Sequence, residues 1–312
     1  MKKISCLAVA CLLAVTGWAQ NLRPPAVPLV TFDPFLSIWS DDDQLTGRNT
    51  VHWTKHEQSL VGLIRVDGQA FRVMGHDPEN VPALPQTSLK VTPTRSLYEF
   101  EGAGVRVSLT FMTPALPDDL DAFSLPLSYI TWEVRSVDGQ EHAVELYDST
   151  SSELAVNDPK EAVNWSRATA GRLLALRVGT VQQPVVGSSG DDHRIDWGYA
   201  YAAARAAEAT AAIGGDKELL ASFVAGGNLP DRDDTRMPRA VNQDQPVMAF
   251  AFKLGRVGSQ AISRQVIVAY DEIVAIKYFG QPLLPLAPGY GRRRPVVGNR
   301  RSAQQEHILP GC

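Results

Sequence analysis

Alternation of apolar and polar residues is the main pattern of this chain. In residues 105–111 every second residue is apolar, and the residues between them are Arg106, Ser108 and Thr110. Strict alternation is typical of a β-strand that buries one face and exposes the other. The further segments that we predict as strands are residues 60–66, 69–74, 98–100, 129–135, 142–147, 247–254 and 261–270.

Turn-forming residues separate these runs. Asp67-Gly68 lies between two apolar runs, and such a pair favours a tight hairpin because both turn positions require positive φ. The same arrangement recurs at Asp138-Gly139, and the Gly-Ala-Gly sequence of residues 102–104 separates a third pair of runs. We therefore predict three hairpins, with residues 247–254 and 261–270 as a further, late pair of strands.

Helical patterns are scarce. Residues 202–212 are rich in alanine, which favours a helix, but they lack an apolar stripe and continue an alternating segment, so we favour a strand. Residues 271–280 are compatible with one or two helical turns, with Asp271 as the cap and Gly280 as the stop. The many short strands predict an all-β fold, either one large antiparallel β-sandwich or two stacked sandwiches, with little helix.

The N-terminal residues have the pattern of a secretion signal. Two lysines precede an apolar run that is too short to span a membrane, and Ala19 is a plausible cleavage point. We therefore expect residues 1–19 to be a signal peptide and the protein to be exported, periplasmic or extracellular. No later segment is apolar enough to span a membrane. After cleavage only Cys312 remains of the three cysteines, so no internal disulfide is expected.

Composition divides the rest of the chain into three parts. A proline-rich stretch at residues 77–86 separates a small N-terminal β unit, 20–80, from a main β-sandwich domain, 81–284. Residues 285–312 carry five arginines against one glutamate and predict a disordered basic tail. The tail is either a functional basic segment or an out-of-frame or truncated end of a longer gene, and we favour the second. The formal net charge is −4 and no basic stripe runs through the body, so nucleic acid is not an expected partner.

Several long irregular segments carry a family resemblance in their order. They are residues 23–40, His52-Trp53, 60–68, 103–105, 109–120, 129–135, 190–192, 194–199, 233–239, 269–273 and 278–280. Together they resemble the N-terminal β-sandwich region of the secreted glutaminase A family, over about residues 22–284. The resemblance implies a parent enzyme that hydrolyses L-glutamine to L-glutamate and ammonia. It also implies a larger helical part, similar to the six-hairpin glycosidases, that carries the chemistry. This chain is then expected to lack that helical barrel, its natural partner, and to be inactive alone.

Three aspartates beside a tryptophan form one candidate site. Asp191, Asp192, Asp196 and Trp197 combine carboxylates with an aromatic, which suits acid–base chemistry or a sugar platform. The alternative is a turn at residues 190–192 that leads into a strand with Arg194 and Asp196 on its polar face. We favour the alternative because alternation explains the spacing.

Metal and nucleophile patterns are weak. His52 and His56 are spaced i, i+4, which on a helix would suit zinc, but no glutamate lies between them. Residues 231–234 hold three aspartates that could ligate calcium, but the EF-hand pattern is absent and nearby arginines can neutralise them. Gly-x-Ser-x-Gly does not occur either. We therefore expect no metal and no cofactor, and assign no catalytic residue in this chain.

The tryptophans leave two function hypotheses open. Trp132 lies in the middle of an apolar strand and is expected in the core, whereas the others could be buried anchors or exposed glycan platforms. The first hypothesis is the β-sandwich portion of an exported glutaminase A-like hydrolase. The alternative is a stand-alone carbohydrate-binding or interaction module. For glutamine or a glycan as ligand, the candidate binding or interface residues are Trp39, His52, Trp53, Asp191, Asp192, Asp196 and Trp197.

Overall fold

The structure is a computed structural model, and it describes residues 23–187 and 189–285. The signal peptide expected at residues 1–19 and nearly all of the tail expected at 285–312 lie outside the described residues. Strands dominate the described part of the chain, and all of the paired strands are antiparallel. No helix within the described ranges is long and apolar enough to cross a membrane.

Two large sheets make up the fold. The strands of the larger sheet are β5 (Gln86–Thr92), β6 (Arg95–Gly102), β7 (Val105–Met112), β8 (Leu127–Ser136), β10 (Ala162–Ala170), β11 (Leu173–Thr180), β12 (Tyr199–Arg205), β14 (Arg239–Ala240) and β16 (Ile262–Asp271). These nine strands lie in the order β14-β10-β11-β12-β16-β8-β7-β6-β5. The strands of the second sheet are β3 (Leu60–Val66), β4 (Gln69–Met74), β9 (His142–Ser151), β13 (Thr210–Gly215) and β15 (Pro246–Val257). These five strands lie in the order β13-β15-β9-β3-β4.

Smaller elements complete the described chain. Two hairpins pair β1 (Val27–Asp33) with β2 (Leu36–Ser40) and β17 (Ile276–Tyr278) with β18 (Gln281–Leu283). The short helix α1 spans Leu120–Phe123, and the longer helix α2 spans Asp216–Gly226. One turn of 3-10 helix, Ser152–Ala155, follows β9 directly.

The main core lies between the two large sheets. The apolar residues of β7 that alternate in the sequence, from Val105 to Phe111, are all buried, and Trp132 of β8 is fully buried beside them. Leu146 of β9 and Phe250 of β15 belong to the same cluster from the opposite sheet. Burying a side chain of this size contributes roughly 1.5–3 kcal/mol. The all-β antiparallel sandwich and the core position of Trp132 are therefore confirmed.

Helix α2 covers the outer face of the five-stranded sheet. Leu219, Leu220 and Phe223 pack there, and the ring of Phe223 lies 5.4 Å from that of Tyr147 on β9. The helix is capped by Gly227, whose φ of 68° is the left-handed conformation of a glycine C-cap. The sequence pattern does not predict this helix. It gives the five-stranded sheet a second apolar layer.

Two of the three expected hairpins are present. Asp67 and Gly68 have φ values of 50° and 89° and join β3 to β4. Residues 102–104 join β6 to β7 in the same manner. The prediction of a hairpin at Asp138-Gly139 is wrong, because β8 and β9 do not pair with each other. Strand β8 pairs with β7 and β16, whereas β9 pairs with β3 and β15. This turn carries the chain from one sheet to the other.

The later strand predictions are correct in type but not always in pairing. Residues 247–254 and 261–270 lie in β15 and β16, which belong to opposite sheets and do not pair with each other. The strand favoured for 202–212 is confirmed by β12 and β13, with a turn between them. The prediction of helical turns at residues 271–280 is wrong. Those residues lead into the β17–β18 hairpin, and the carboxylate of Asp271 accepts a hydrogen bond from the N–H of Ile273 instead of capping a helix.

The domain division placed near residue 80 stays a prediction. It falls between β4 and β5, which belong to different sheets. Strand β3, from the expected small unit, pairs along its length with β9 of the expected main domain. Both parts therefore contribute strands to one sandwich.

Candidate functional site

A compact loop at residues 50–58 carries the two histidines noted in the sequence. The backbone N–H of His52 donates to the carbonyl of His56 at 2.8 Å, and that of Gln58 donates to the carbonyl of Thr50 at 3.1 Å. These bonds close the loop on itself without a helix. The spacing of His52 and His56 consequently does not produce the helical face on which a pair of zinc ligands would depend.

His52 is completely buried and held from both sides of its ring. Nε2 lies 3.0 Å from the carbonyl oxygen of Pro34, and Nδ1 lies 2.9 Å from Oγ1 of Thr54. Because a carbonyl oxygen can only accept, Nε2 carries the proton and Nδ1 accepts from Thr54. Burial lowers the pKa of His52 to about 4. The imidazole is therefore neutral at pH 7 and fastens the loop to the β1–β2 turn.

Trp53 stands beside His52 with half of its surface exposed. Its Nε1 donates to the same carbonyl of Pro34 at 3.0 Å, and its ring lies 5.6 Å from the His52 ring. The side chain is 49% exposed, although its orientation is fixed by that hydrogen bond. Among the tryptophans of the described chain that the sequence marked as platforms, this one presents the most surface.

Arg194 is the centre of the cluster, and it is only 5% exposed. Nε and Nη2 donate to the carbonyl of Asn157 at 3.1 and 2.7 Å, and Nη1 donates to Oγ1 of Thr54 at 3.0 Å and to Oδ1 of Asp192 at 2.7 Å. Three chain segments are tied together by this one guanidinium. The pKa of Asp192 is lowered mainly by its hydrogen bond from Arg194. Nε2 of His56 lies 3.4 Å from the same carboxylate.

The other candidate residues of the 190–197 segment are Asp191, Asp196 and Trp197. Asp191 is exposed in the turn, whereas Asp196 is buried, which raises its pKa. Trp197 is buried and donates from Nε1 to the carbonyl of Val274 at 3.1 Å. The expected turn at 190–192 is present, but residues 194–196 do not form the expected strand, which begins only at Tyr199.

Trp39 lies on β2 next to the loop. Its backbone N–H donates to the carbonyl of Val51 at 2.8 Å, one residue before His52. Its Nε1 donates to Oγ of Ser37 at 3.0 Å. This half-buried tryptophan thus supports the loop backbone and is not a second exposed platform.

A cleft of about 190 Å³ opens beside Arg194. Its walls include His56, Glu57, Glu153, Asn157 and Arg194. Glu153 comes from the 3-10 turn after β9, and its Oε2 accepts from the backbone N–H and the hydroxyl of Ser59, both at 3.0 Å. Burial raises the pKa of this carboxyl group. No sequence pattern marks Glu153 and Asn157, because only the fold brings them to the cleft that Arg194 lines.

Two of the three aspartates in the 231–234 loop, Asp233 and Asp234, are paired with arginines. Asp233 binds Arg167 in a two-pronged contact of 2.6 and 2.7 Å, and Asp234 binds Arg236 and Arg239 at 2.6 and 2.8 Å. The bond to Arg236 is the main cause that lowers the pKa of Asp234. Within the described residues, no three His, Cys, Asp or Glu side chains are grouped so that they could hold a metal ion.

Comparison with known proteins identifies the family of this sandwich. The family model described as "Domain of unknown function (DUF5127)" matches residues 94–293, and the one described as "Domain of unknown function (DUF4964)" matches residues 4–85. The first covers more than half of the chain, so the chain belongs to the DUF5127 family.

The relatives with curated names are glutaminases. The chain is 31% identical to glutaminase A of Aspergillus oryzae over 290 residues, which cover 89% of this chain and 41% of that protein. It is 24% identical to a probable glutaminase of Arthroderma benhamiae, over 91% of this chain and 35% of that protein. The resemblance to glutaminase A is confirmed. The chain spans less than half the length of either relative.

Solved structures give a more distant likeness. A human-microbiome protein assigned as a kojibiose phosphorylase matches 74% of this chain and 25% of its own, with a TM-score of 0.36 and 10% identity. An Escherichia coli protein assigned as an aldose 1-epimerase matches 79% of this chain and 98% of its own, with a TM-score of 0.35 and 7% identity. Similarity at this level supports no functional conclusion.

Proposed function

We propose that this chain is the β-sandwich part of an exported glutaminase A-type hydrolase, whose parent activity converts L-glutamine to L-glutamate and ammonia. The observation that carries the proposal is the 31% identity to glutaminase A over 89% of the chain. The signal-like pattern of residues 1–19 supports export. In this proposal the sandwich is a scaffold for the catalytic part of the enzyme.

The contacts of the described site support a scaffolding role. Hydrolysis of an amide needs a group that can take up a proton beside the reacting carbon. The neutral His52 is bonded at both ring nitrogens, and the guanidinium of Arg194 already donates four hydrogen bonds. Both groups hold loops together. The chain spans 41% of glutaminase A, and in this proposal the chemistry belongs to the part of that relative that the chain does not match.

Two experiments test this proposal. Ammonia release from L-glutamine is measured with the secreted chain, with glutaminase A of Aspergillus oryzae as the positive control. We expect no release above the blank, and turnover comparable to that of the control would refute the inactivity of this chain. In the second experiment, the matching region of glutaminase A is replaced by residues 20–285 of this chain. We expect a folded, active chimera. A folded chimera without activity would count against interchangeable scaffolds.

A second candidate function rests on the exposed indole of Trp53. Half-exposed tryptophans next to polar groups can stack on sugar rings, and the loop of Trp53 also carries His56, whose Nε2 lies 3.4 Å from Oδ1 of Asp192. A glycan array compares the wild type with Trp53→Ala, and Phe123→Ala removes another half-exposed aromatic as the matched control. Binding that is lost only in Trp53→Ala would support a glycan module. If the wild type bound no glycan, this second function would be excluded.

A further inference from the structure

Two oppositely charged side chains face the cleft although both are nine-tenths buried. Arg194 is 5% exposed and Glu153 is 9% exposed, and both line its wall. Burying a charge is costly unless the group is paired or hydrogen-bonded. Arg194 meets this requirement through Asn157, Thr54 and Asp192. The carboxylate of Glu153 accepts hydrogen bonds from Ser59 and Ser151, which are neutral donors, and so its charge is not matched by a cation.

The Glu153 side of the cleft is acidic. The described residues place no arginine or lysine within salt-bridge distance of Glu153. Glu57 lines the same cleft, and its charge adds to the effect of burial in raising the pKa of Glu153. A cation between these two carboxylates would gain hydrogen bonds and would relieve their mutual repulsion. This half of the cleft is complementary to an ammonium group.

The Arg194 side of the cleft offers donors. A guanidinium has five N–H groups, and Arg194 uses four of them in its bonds to Asn157, Thr54 and Asp192. The side-chain oxygen of Asn157 accepts from the backbone N–H of Arg194 at 3.1 Å, which leaves the amide NH₂ of Asn157 as a further donor. A carboxylate can accept from both groups.

The volume of the cleft limits the size of its ligand. At about 190 Å³ it is smaller than the range of roughly 300–1,000 Å³ that is typical for drug-sized ligands. We propose that this cleft binds a free amino acid, with its ammonium group between Glu57 and Glu153 and its carboxylate on the side of Arg194 and Asn157. The cleft is a binding site in this assignment, and no hydrolysis by this chain is required.

Calorimetric titration of the secreted chain tests the charge requirement. The ligands are L-glutamine, N-acetyl-L-glutamine, which lacks the ammonium group, and L-glutaminamide, which lacks the α-carboxylate. We expect L-glutamine to bind and each analogue to bind at least about tenfold more weakly, because each loses a hydrogen bond between charged groups. Absence of binding by L-glutamine, or equal binding of all three compounds, would overturn the proposal.

Substitutions locate the site. Glu57→Gln changes an exposed side chain, and we expect it to keep the fold and to weaken L-glutamine binding about three- to tenfold. Glu153→Gln retains an oxygen for Ser59 and should weaken binding about tenfold. Glu133→Gln, at an exposed position on β8, is the matched control and should leave the affinity unchanged. Unaltered affinity in Glu57→Gln, or an equal loss in the control, would overturn the assignment. Because binding is measured without ammonia release, its failure is distinguishable from that of the scaffold proposal.

Discussion

The indole Nε1 of Trp132 donates a hydrogen bond of 2.8 Å to Oδ2 of Asp148. Trp132 belongs to β8 of the nine-stranded sheet and Asp148 to β9 of the five-stranded sheet, so the bond crosses the core. Both residues are fully buried. Burial raises the pKa of Asp148 to about 7, and the hydrogen bond from Trp132 offsets this effect only in part. A polar contact between the sheets therefore depends on pH near neutrality.

Replacing Asp148 by asparagine should reduce the pH dependence of stability. The pKa rises from 3.8 to about 7 on folding, so between these values the folded state binds more protons than the unfolded state. The free energy of unfolding then falls as pH rises, by up to about 1.4 kcal/mol per pH unit for this group. The amide of the substituted side chain cannot titrate, but its oxygen can still accept from Trp132. Urea denaturation from pH 4 to 8 should show a flatter profile for Asp148→Asn.

The control for this experiment is Asp121→Asn, at an exposed position of helix α1. It should leave the pH profile of the wild type unchanged. Burial also raises the pKa of Asp216 to about 7 and that of Glu272 to about 8, so part of the slope should remain in Asp148→Asn. Parallel profiles for Asp148→Asn and the wild type would show that Asp148 does not titrate in this range.

Gly62→Ala should destabilise the sandwich by about 1–3 kcal/mol. A Cβ atom at Gly62 of β3 would lie 2.7 Å from Cη2 and Cζ2 of Trp132 in the opposite sheet. The ring of Trp132 is fully buried and cannot move away without disturbing the core. Gly226→Ala, at the end of helix α2, is the control because its nearest neighbour would be 3.5 Å away. Thermal denaturation should show a lower Tm for Gly62→Ala only.

The sequence predicts the strands of this fold better than it predicts their partners. Residues 105–111 alternate because one face of β7 packs on the core, and that cause is local enough to be visible in the sequence. The turn at Asp138-Gly139 has the same local chemistry as a hairpin turn, yet it joins opposite sheets. Strand β9 belongs to the five-stranded sheet because it pairs with β3 and β15. Both of these strands are distant from β9 in the sequence.

The candidate site was visible in the sequence only in part. Residue type alone selects His52, Trp53 and Asp192, whereas alternation predicts that Arg194 lies on the polar face of a strand. Its partner Thr54 is 140 residues away along the chain. No local pattern links two positions at that separation. An arginine next to several aspartates is a signal for an ion pair, whereas its burial and its bonds to Asn157 follow from tertiary packing alone.

Arg194→Lys should lower the free energy of unfolding by roughly 2–4 kcal/mol. A lysine ammonium cannot reproduce the planar contacts with both the carbonyl of Asn157 and the hydroxyl of Thr54, so buried acceptors lose their donors. Arg236→Lys is the matched control, since Arg236 is largely exposed in its ion pair with Asp234 and should cost less than about 1 kcal/mol. Equal losses in the two variants, measured by urea denaturation, would contradict a central role for Arg194.

His142 connects two turns that are far apart in the sequence. Its Nδ1 lies 2.7 Å from Oδ2 of Asp67 in the β3–β4 turn, and its Nε2 lies 3.2 Å from Oδ2 of Asp138 in the β8–β9 connection. The hydrogen bond with Asp67 is the main cause that raises the pKa of His142. Because this pKa is higher in the folded state, the stabilisation is fully present below the ordinary histidine value of 6.5 and is lost as pH rises through the raised value.

His142→Gln should therefore cost more stability at pH 6 than at pH 9. A double-mutant cycle with Asp67→Asn isolates the pair, since it subtracts what each single substitution does elsewhere. The coupling free energy should be favourable at pH 6, when the imidazolium faces two carboxylates, and should shrink at pH 9, when a neutral ring retains only an ordinary hydrogen bond. A coupling that is equal at the two pH values would mean that the charge of the imidazole does not change between them, which would contradict a pH-dependent contact between the turns.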